Sequence, residues 1–171
     1  MAPSLWLIDL RELDGDAIAI KLGDVAGMNL APGQERFVGE PLKMLLLALE
    51  DPTRHPFVME ADGVPAGVLT LQRSAACAAG WDLDDTAWLL RGFLVDRNFQ
   101  GRGIGKLAAV AAWEQARKRS AALGGQEQGV VLSVNNHNLA ARAVYGRAGF
   151  VDSGTYLGGN AGPQRIMYRT F

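Results

Sequence analysis

The stretch FLVDRNFQGRGIGKLAAVAAWEQARKR, Phe93 to Arg119, decides how this chain is read. An apolar run ends at Val95, glycines alternate at Gly101, Gly103 and Gly105, and an alanine-rich helical pattern follows. Strand, glycine loop and helix together present backbone N–H groups that the helix itself leaves unpaired, and the helix dipole favours an anion there. A nucleoside triphosphate loop requires G-x-x-x-x-G-K-[ST]. Here Lys106 is followed by Leu107, and Gln100 stands where the first glycine belongs, so both ends fail. A dinucleotide fingerprint is partly met, because Gly103 to Ala108 spells G-x-G-x-x-A. That motif belongs near the first strand–helix turn, with an acid at the end of the next strand. The next strand ends in Val134-Asn135-Asn136, without an acid. The third reading is a Q-x-x-G-x-G pyrophosphate loop from Gln100 to Gly105, with Arg102 and Lys106 able to add charge-assisted contacts. The fourth is a glycine-rich turn that binds nothing.

Outward from this stretch the chain punctuates itself. Leu5–Leu10 reads as a buried strand. Asp14 or Asp16 caps a short helix that Gly23 stops, and Pro41 opens a helix that Asp51 and Pro52 end. Phe57–Glu60 and Pro65–Arg73 form a hairpin about Asp62-Gly63. Thr86–Asp96 is a long strand, and the helix after the glycine loop runs to about Leu123. Gly129–Val134 is a strand, Leu139–Arg147 a helix, and Phe150–Tyr156 and Gln164–Phe171 are strands joined by a turn at Gly158–Pro163. The order β-α-α-β-β-β-α-β-α-β-β predicts a three-layer α/β fold with a mixed sheet, in one domain spanning 1–171.

Composition narrows the classes. A net charge of −1 gives no field for nucleic acid or an acidic membrane. The Arg117–Arg119 run closes a helix, where cations complement the dipole. The single cysteine, Cys77, cannot form an internal disulfide and reads as a small apolar residue, which suits a reducing cytoplasm. No signal peptide pattern and no apolar run near the ~18 residues of a membrane span is seen. The two histidines, His55 and His137, read as surface residues, and no metal-ligand spacing occurs. An apolar last strand suggests a homodimer.

A second motif lies downstream, in VNNHNLAARAVYGRAGF. Asn138 is a good helix N-cap, and Leu139, Ala140, Ala143 and Val144 make an apolar helical face with Tyr145 beside it. Asn138, Ala141, Tyr145, Gly149 and Phe150 spell N-x-x-A-x-x-x-Y-x-x-x-G-F. With the glycine loop upstream, this pattern resembles the GNAT superfamily of N-acetyltransferases, which use acetyl-CoA and release coenzyme A. The resemblance implies a GNAT-like three-layer domain, whose mixed central sheet has a splayed strand pair and helices on both faces. It further implies that Phe93, Leu94 and Val95 pair through backbone with the pantetheine arm. Gln100, Gly101, Arg102, Gly103, Ile104, Gly105 and Lys106 would then form the pyrophosphate loop, and Asn138 would contact the pantetheine or the far end of the cofactor. Tyr145 would stand near the sulfur as general acid, a role that suits a phenol protonating a leaving thiolate. A backbone N–H on the splayed strand would stabilise the negative oxygen of the attacked thioester.

Within that superfamily, Arg91 two before Phe93, and Gln34, Phe37 and Val38 in GQERFVGEP, are similar to bacterial polyamine acetyltransferases. The helix EPLKMLLLALE departs from their pattern, lacking the usual asparagine and serine. A polycationic amine would favour acids around it, for which Glu35, Glu40, Asp82, Asp84 and Asp85 are the candidates. Glu40 is also a candidate base acting through water. A protein N-terminal or lysine acetyltransferase, a non-catalytic acyl-CoA-binding module and a nicotinamide-dependent oxidoreductase are the competing readings.

Overall fold

The structure is a computed structural model that describes residues 1–160 and 162–171. Its regular elements are β1 (Leu5–Asp9), α1 (Gly15–Ala26), α2 (Pro41–Glu50), β2 (Arg54–Ala61), β3 (Val64–Gln72), β4 (Trp88–Val95), α3 (Ile104–Leu123), β5 (Gly129–Asn135), α4 (Leu139–Arg147), β6 (Val151–Tyr156) and β7 (Gln164–Thr170). The strands form one mixed sheet in the order β1-β2-β3-β4-β5-β7-β6. β4 and β5 are parallel, as the crossover through α3 requires, and their pairing covers Trp88↔Val130 and Leu89↔Val131. β4 continues through Val95 beyond the last of these pairs. The β2–β3 turn has positive φ at both Asp62 and Gly63, the backbone a two-residue hairpin needs. The turn expected at Gly158–Pro163 includes Ala161, which lies outside the described residues.

β7 pairs with β5 along its whole length and with β6 on its other side. Its apolar residues Ile166 and Met167 are buried inside the sheet, so the last strand is not a free apolar face. The sequence-based reason for expecting a second copy therefore lapses.

Two compact units are distinguished, Met1–Thr70 with Gly92–Ala108, and Leu71–Arg91 with Ala109–Phe171. The first unit closes around Leu10, Val25, Leu45, Val58, Val68 and Leu94. Asp14, not Asp16, caps α1, its carboxylate accepting from the Ala17 N–H at 2.8 Å. Gly23 does not stop this helix, which continues to Ala26 and is capped by Gly27. A helical glycine costs about 1 kcal/mol relative to alanine. Val25, only 1% exposed, outweighs that by seating the last turn in the core. Arg11 secures the end of α2. Its guanidinium donates to the carbonyls of Ala48 (3.0 Å), Leu49 (3.4 Å), Asp51 (2.5 Å) and Arg54 (2.5 Å). These include helix-end acceptors that have no intrahelical donor. Arg11→Met should lower unfolding free energy by about 1–2 kcal/mol in urea titration, and an unchanged midpoint would show that water replaces the guanidinium without cost.

The second unit packs Ala76, Ala79, Ala87, Leu89, Val131 and Ile166 together, flanked by Trp81 stacked on Tyr168 at 4.5 Å. Trp88 is fully buried, and its indole N–H donates to Ser120 Oγ at 2.7 Å. Ser120 donates in turn to Glu127 Oε2 at 3.1 Å, and Arg73 Nε donates to Glu127 Oε1 at 2.6 Å. Burial works to raise the Glu127 carboxyl, but the bonds from Arg73 and Ser120 prevail and hold it below the usual carboxylate range. Trp88, Ser120, Glu127 and Arg73 thus satisfy one another within a single network.

Candidate active site

In the first unit, β4 leads into the glycine loop. Gly92 has φ +56°, a left-handed residue inside the strand and the mark of a local bend. On β3, Gly67 makes room for the bent backbone. A Cβ there would sit 2.2 Å from the Leu94 carbonyl oxygen and 3.2 Å from Val95 Cα. Sequence reading missed both glycines, and the signal available was a lone glycine within each strand pattern. Gly67→Ala must push β4 aside, since the nearest obstacle is backbone. It should destabilise the fold by about 1–3 kcal/mol in urea titration, whereas an unchanged midpoint would mean that β4 moves freely.

Asp96 ends the strand. Its buried carboxylate accepts from the N–H groups of Asn98 and Asn29, both at 2.8 Å, and its own N–H donates to Ala66 O at 2.8 Å. A 3-10 turn at Arg97–Phe99 follows, then Gln100, whose amide nitrogen donates to Val95 O at 3.1 Å. Gly101 and Gly103 have φ of +75° and +79°, and no atom lies within 4 Å of where a Cβ would stand on either. Such a loop lets an anion approach the backbone where a side chain would fill the space. The N–H of Gln100 donates to Arg97 O and that of Leu107 to Gly103 O. Between them, among the described residues, no N–H from Gly101 to Lys106 donates to a backbone carbonyl. Ile104 is buried and anchors the helix start, while Arg102 and Lys106 are exposed. The Arg102 guanidinium lies 5.4 Å over the Phe99 ring, which steadies it beside the loop. No acidic residue stands in the first turn of α3. Free N–H donors, two cations and open left-handed glycines fit a pyrophosphate.

Phe93 and Gly92 on β4 are half-buried, and Leu94 and Val95 are buried. Glu35 is exposed in a 3-10 turn at Gln34–Arg36. Glu40 is the N-cap of α2, its two oxygens accepting from the N–H groups of Leu42 and Lys43 at 3.1 Å each. His55 stands 3.8 Å from the Asp9 carboxylate.

In the second unit, Asn138 caps α4, its side-chain oxygen accepting from the Ala141 N–H at 3.2 Å. The expected apolar face of this helix is not the buried one. Leu139 is 67% exposed, and Ala140 and Ala143 are exposed too. The buried side runs through Tyr145 and Ala148, with Ala141 and Val144 half-buried beside it. The helix is therefore rotated from the reading that placed Tyr145 off the apolar face. Tyr145 is buried, its ring edge-on to Phe150 at 6.0 Å, and burial pushes its hydroxyl above the ordinary tyrosine range. At neutral pH this group holds its proton, the state a general acid needs.

Asp82, Asp84 and Asp85 are exposed in the loop after the 3-10 turn at Ala76–Ala79. Asp84 accepts from the Cys77 N–H at 2.8 Å, which holds its carboxyl below the usual range. Cys77, read from the sequence as a small apolar residue, is exposed within the 3-10 turn Ala76–Ala79. The Asp84 carboxylate pushes its thiol up, away from nucleophilic use. His137 is exposed in the turn before α4. Among the described residues no cluster of three metal-ligating side chains occurs, and no helix is long and apolar enough to cross a membrane.

Comparison with known proteins adds three findings. The acetyltransferase (GNAT) family profile matches residues 27–150. The uncharacterized N-acetyltransferase YbbJ of Bacillus subtilis is 27% identical over 150 residues, covering 86% of this chain and 89% of that protein. Among solved structures, an aminoglycoside acetyltransferase AAC(6')-Ib in complex with coenzyme A and kanamycin superposes with a TM-score of 0.70 at 18% identity. That match covers 99% of this chain and 95% of that one. A chimera of spermidine N-acetyltransferase SpeG from Vibrio cholerae and hSSAT superposes with a TM-score of 0.65 at 18% identity, covering 97% and 94%. At such identities the superpositions speak for the fold.

Proposed function

Since the chain belongs to the acetyltransferase (GNAT) family, we propose that residues 1–171 act as one N-acyltransferase domain that moves an acetyl group from acetyl-CoA to a primary amine of a small polycation. The observation that carries this reading is the glycine loop, with open left-handed glycines and N–H groups from Gly101 to Lys106 that no backbone carbonyl accepts. These N–H groups, with Arg102 and Lys106, bind the cofactor pyrophosphate, and Gln100 belongs to the same loop. The backbone of Phe93, Leu94 and Val95 pairs with the pantetheine arm, and Asn138 contacts the cofactor through the side chain that caps α4.

Acetyl-CoA supplies a thioester carbonyl that a neutral amine attacks directly. A β4 backbone N–H steadies the negative oxygen that develops there, an interaction that strengthens as charge appears. As the carbon–nitrogen bond forms and the carbon–sulfur bond breaks, Tyr145 gives its proton to the departing thiolate. The proton lost by the amine restores the balance through water. Burial of Tyr145 keeps that proton in place until it is needed.

A polyamine is favoured as acceptor by the Arg91–Phe93 pattern and by Gln34, Phe37 and Val38. The superposed spermidine and aminoglycoside acetyltransferases also act on polycationic amines. Glu35, Glu40, Asp82, Asp84 and Asp85 are exposed acids that offer a polyamine negative charge, Glu40 and Asp84 being held in place by the backbone N–H groups they accept from. The test is release of thiol from acetyl-CoA over a panel of spermine, spermidine, an aminoglycoside and N-terminal and lysine peptides. Turnover of the polyamines at the highest kcat/KM is expected. Preference for a peptide would replace the substrate class, and no turnover despite acetyl-CoA binding would favour a non-catalytic module.

A further inference from the structure

Between α1 and α2 the chain runs through a connector, residues 29–40, whose only helical turn is the 3-10 turn at Gln34–Arg36. Its order depends on a few bonds made around Gln34. The Gln34 carbonyl accepts from the N–H groups of Phe37 (2.9 Å) and Val38 (3.2 Å). Its side-chain oxygen accepts from the Ala31 N–H at 3.0 Å and from the Gln100 amide nitrogen at 3.1 Å. That same Gln100 nitrogen donates to Val95 O at 3.1 Å. Both Gln100 amide hydrogens, and both acceptor positions of the Gln34 oxygen, are therefore engaged. A second tie runs in parallel, with the Asn29 N–H donating to Asp96 and the Arg97 N–H to Asn29 O. All of these groups lie in the first unit. Gln100 immediately precedes Gly101, the first open glycine of the loop.

We propose that the Gln34–Gln100 pair is a strap through which occupancy of the glycine loop orders the connector, making Gln34 a positioning residue for the acceptor side. This rests on reading the loop as the coenzyme A site and the connector, with Glu35, as part of acceptor recognition. An anion bound at Gly101 to Lys106 fixes the backbone at Gln100. The Gln100 amide then has one geometry, and the connector that hangs from Gln34 is fixed with it. Donor binding in this way prepares the chain for the amine.

Hydrogen exchange of residues 29–40, with and without coenzyme A, reads the strap without turnover. In the wild type, coenzyme A should slow exchange there about fivefold to tenfold, the worth of one hydrogen bond. Gln34→Met removes the acceptor, and this protection should vanish while calorimetry still shows coenzyme A binding. Gln34→Glu keeps an oxygen for both donors and should restore it. Gln100→Met serves if Gln34→Met does not fold, because it leaves the Ala31 bond intact, and it too should abolish the protection. With the best amine of the panel, Gln34→Met should raise the amine KM while kcat changes little, and Gln34→Glu should recover the KM. Protection that survives in Gln34→Met or Gln100→Met overturns the strap, as does coenzyme A binding to the wild type without protecting the connector. Absence of coenzyme A binding to the wild type would instead remove the loop reading, and the strap's role with it.

Discussion

Coenzyme A binding should weaken about tenfold to a hundredfold when Gly103 is replaced by valine, as N–H contacts worth about 1–3 kcal/mol are lost. Gly103 sits at φ +79°, where a β-branched residue is strained. Nothing lies within 4 Å of its Cβ position, so a Cβ there meets no obstacle in the folded protein itself. The methyl groups would instead occupy the space through which an anion reaches the N–H groups of the loop. Strain falls on the folded state with or without ligand, whereas the lost N–H contacts fall on binding. Calorimetry reads the affinity, and thermal unfolding without ligand shows how much of the effect is fold. Wild-type affinity in a folded Gly103→Val protein would take the glycine loop out of the account.

Tyr145→Phe should lower kcat by about a hundredfold to a thousandfold, within the range of general acid catalysis, while coenzyme A affinity stays within about twofold. The aromatic ring stays and keeps its packing on Phe150, so the loss falls on the proton. A pH measurement on stability separates the hydroxyl from the ring. Burial raises the folded-state pKa of Tyr145 above its unfolded value near 10. The hydroxyl is protonated in both states below that pH, and its contribution is fully present there. As pH rises past about 10, the unfolded chain releases the proton first, so stability falls. Urea titrations above pH 10 should therefore show a steeper loss in the wild type than in Tyr145→Phe. Parallel losses would mean that Tyr145 is not shielded from water, and unchanged turnover in the variant would end its role as acid.

The order of strands and helices was legible because local chemistry agrees with it. Asp62-Gly63 between apolar runs admits little but a hairpin, and Pro41 with Asp51-Pro52 brackets a helix at both ends. Gly23 misled because a local propensity of about 1 kcal/mol was set against a buried Val25 two residues later, which only the tertiary core reveals. The face of α4 misled for a related reason. Three alanines give that helix a weak pattern, and what decides its rotation is where Tyr145 and Ala148, its C-cap, find cover. The glycine loop could be read as an anion site because the motif is contiguous. Gly67 could not, since its meaning lies in the carbonyl of Leu94, which is distant in sequence. The same holds for Arg11 at the end of α2, for Glu40 as its cap and for Gln34 bonded to Gln100. Charge alone nominates an acid for substrate, and only geometry shows which acids already accept N–H groups.

The central claim is that this chain holds acetyl-CoA. The most direct measurement is the melting temperature of the wild type with saturating acetyl-CoA and, separately, with NADH. A ligand at a hundred times its Kd adds about 2.7 kcal/mol to the folded state. For a chain of this length that corresponds to a rise of roughly 5–10 °C. The account predicts such a rise with acetyl-CoA and little or none with NADH. No shift with acetyl-CoA, or a larger one with NADH, would contradict it.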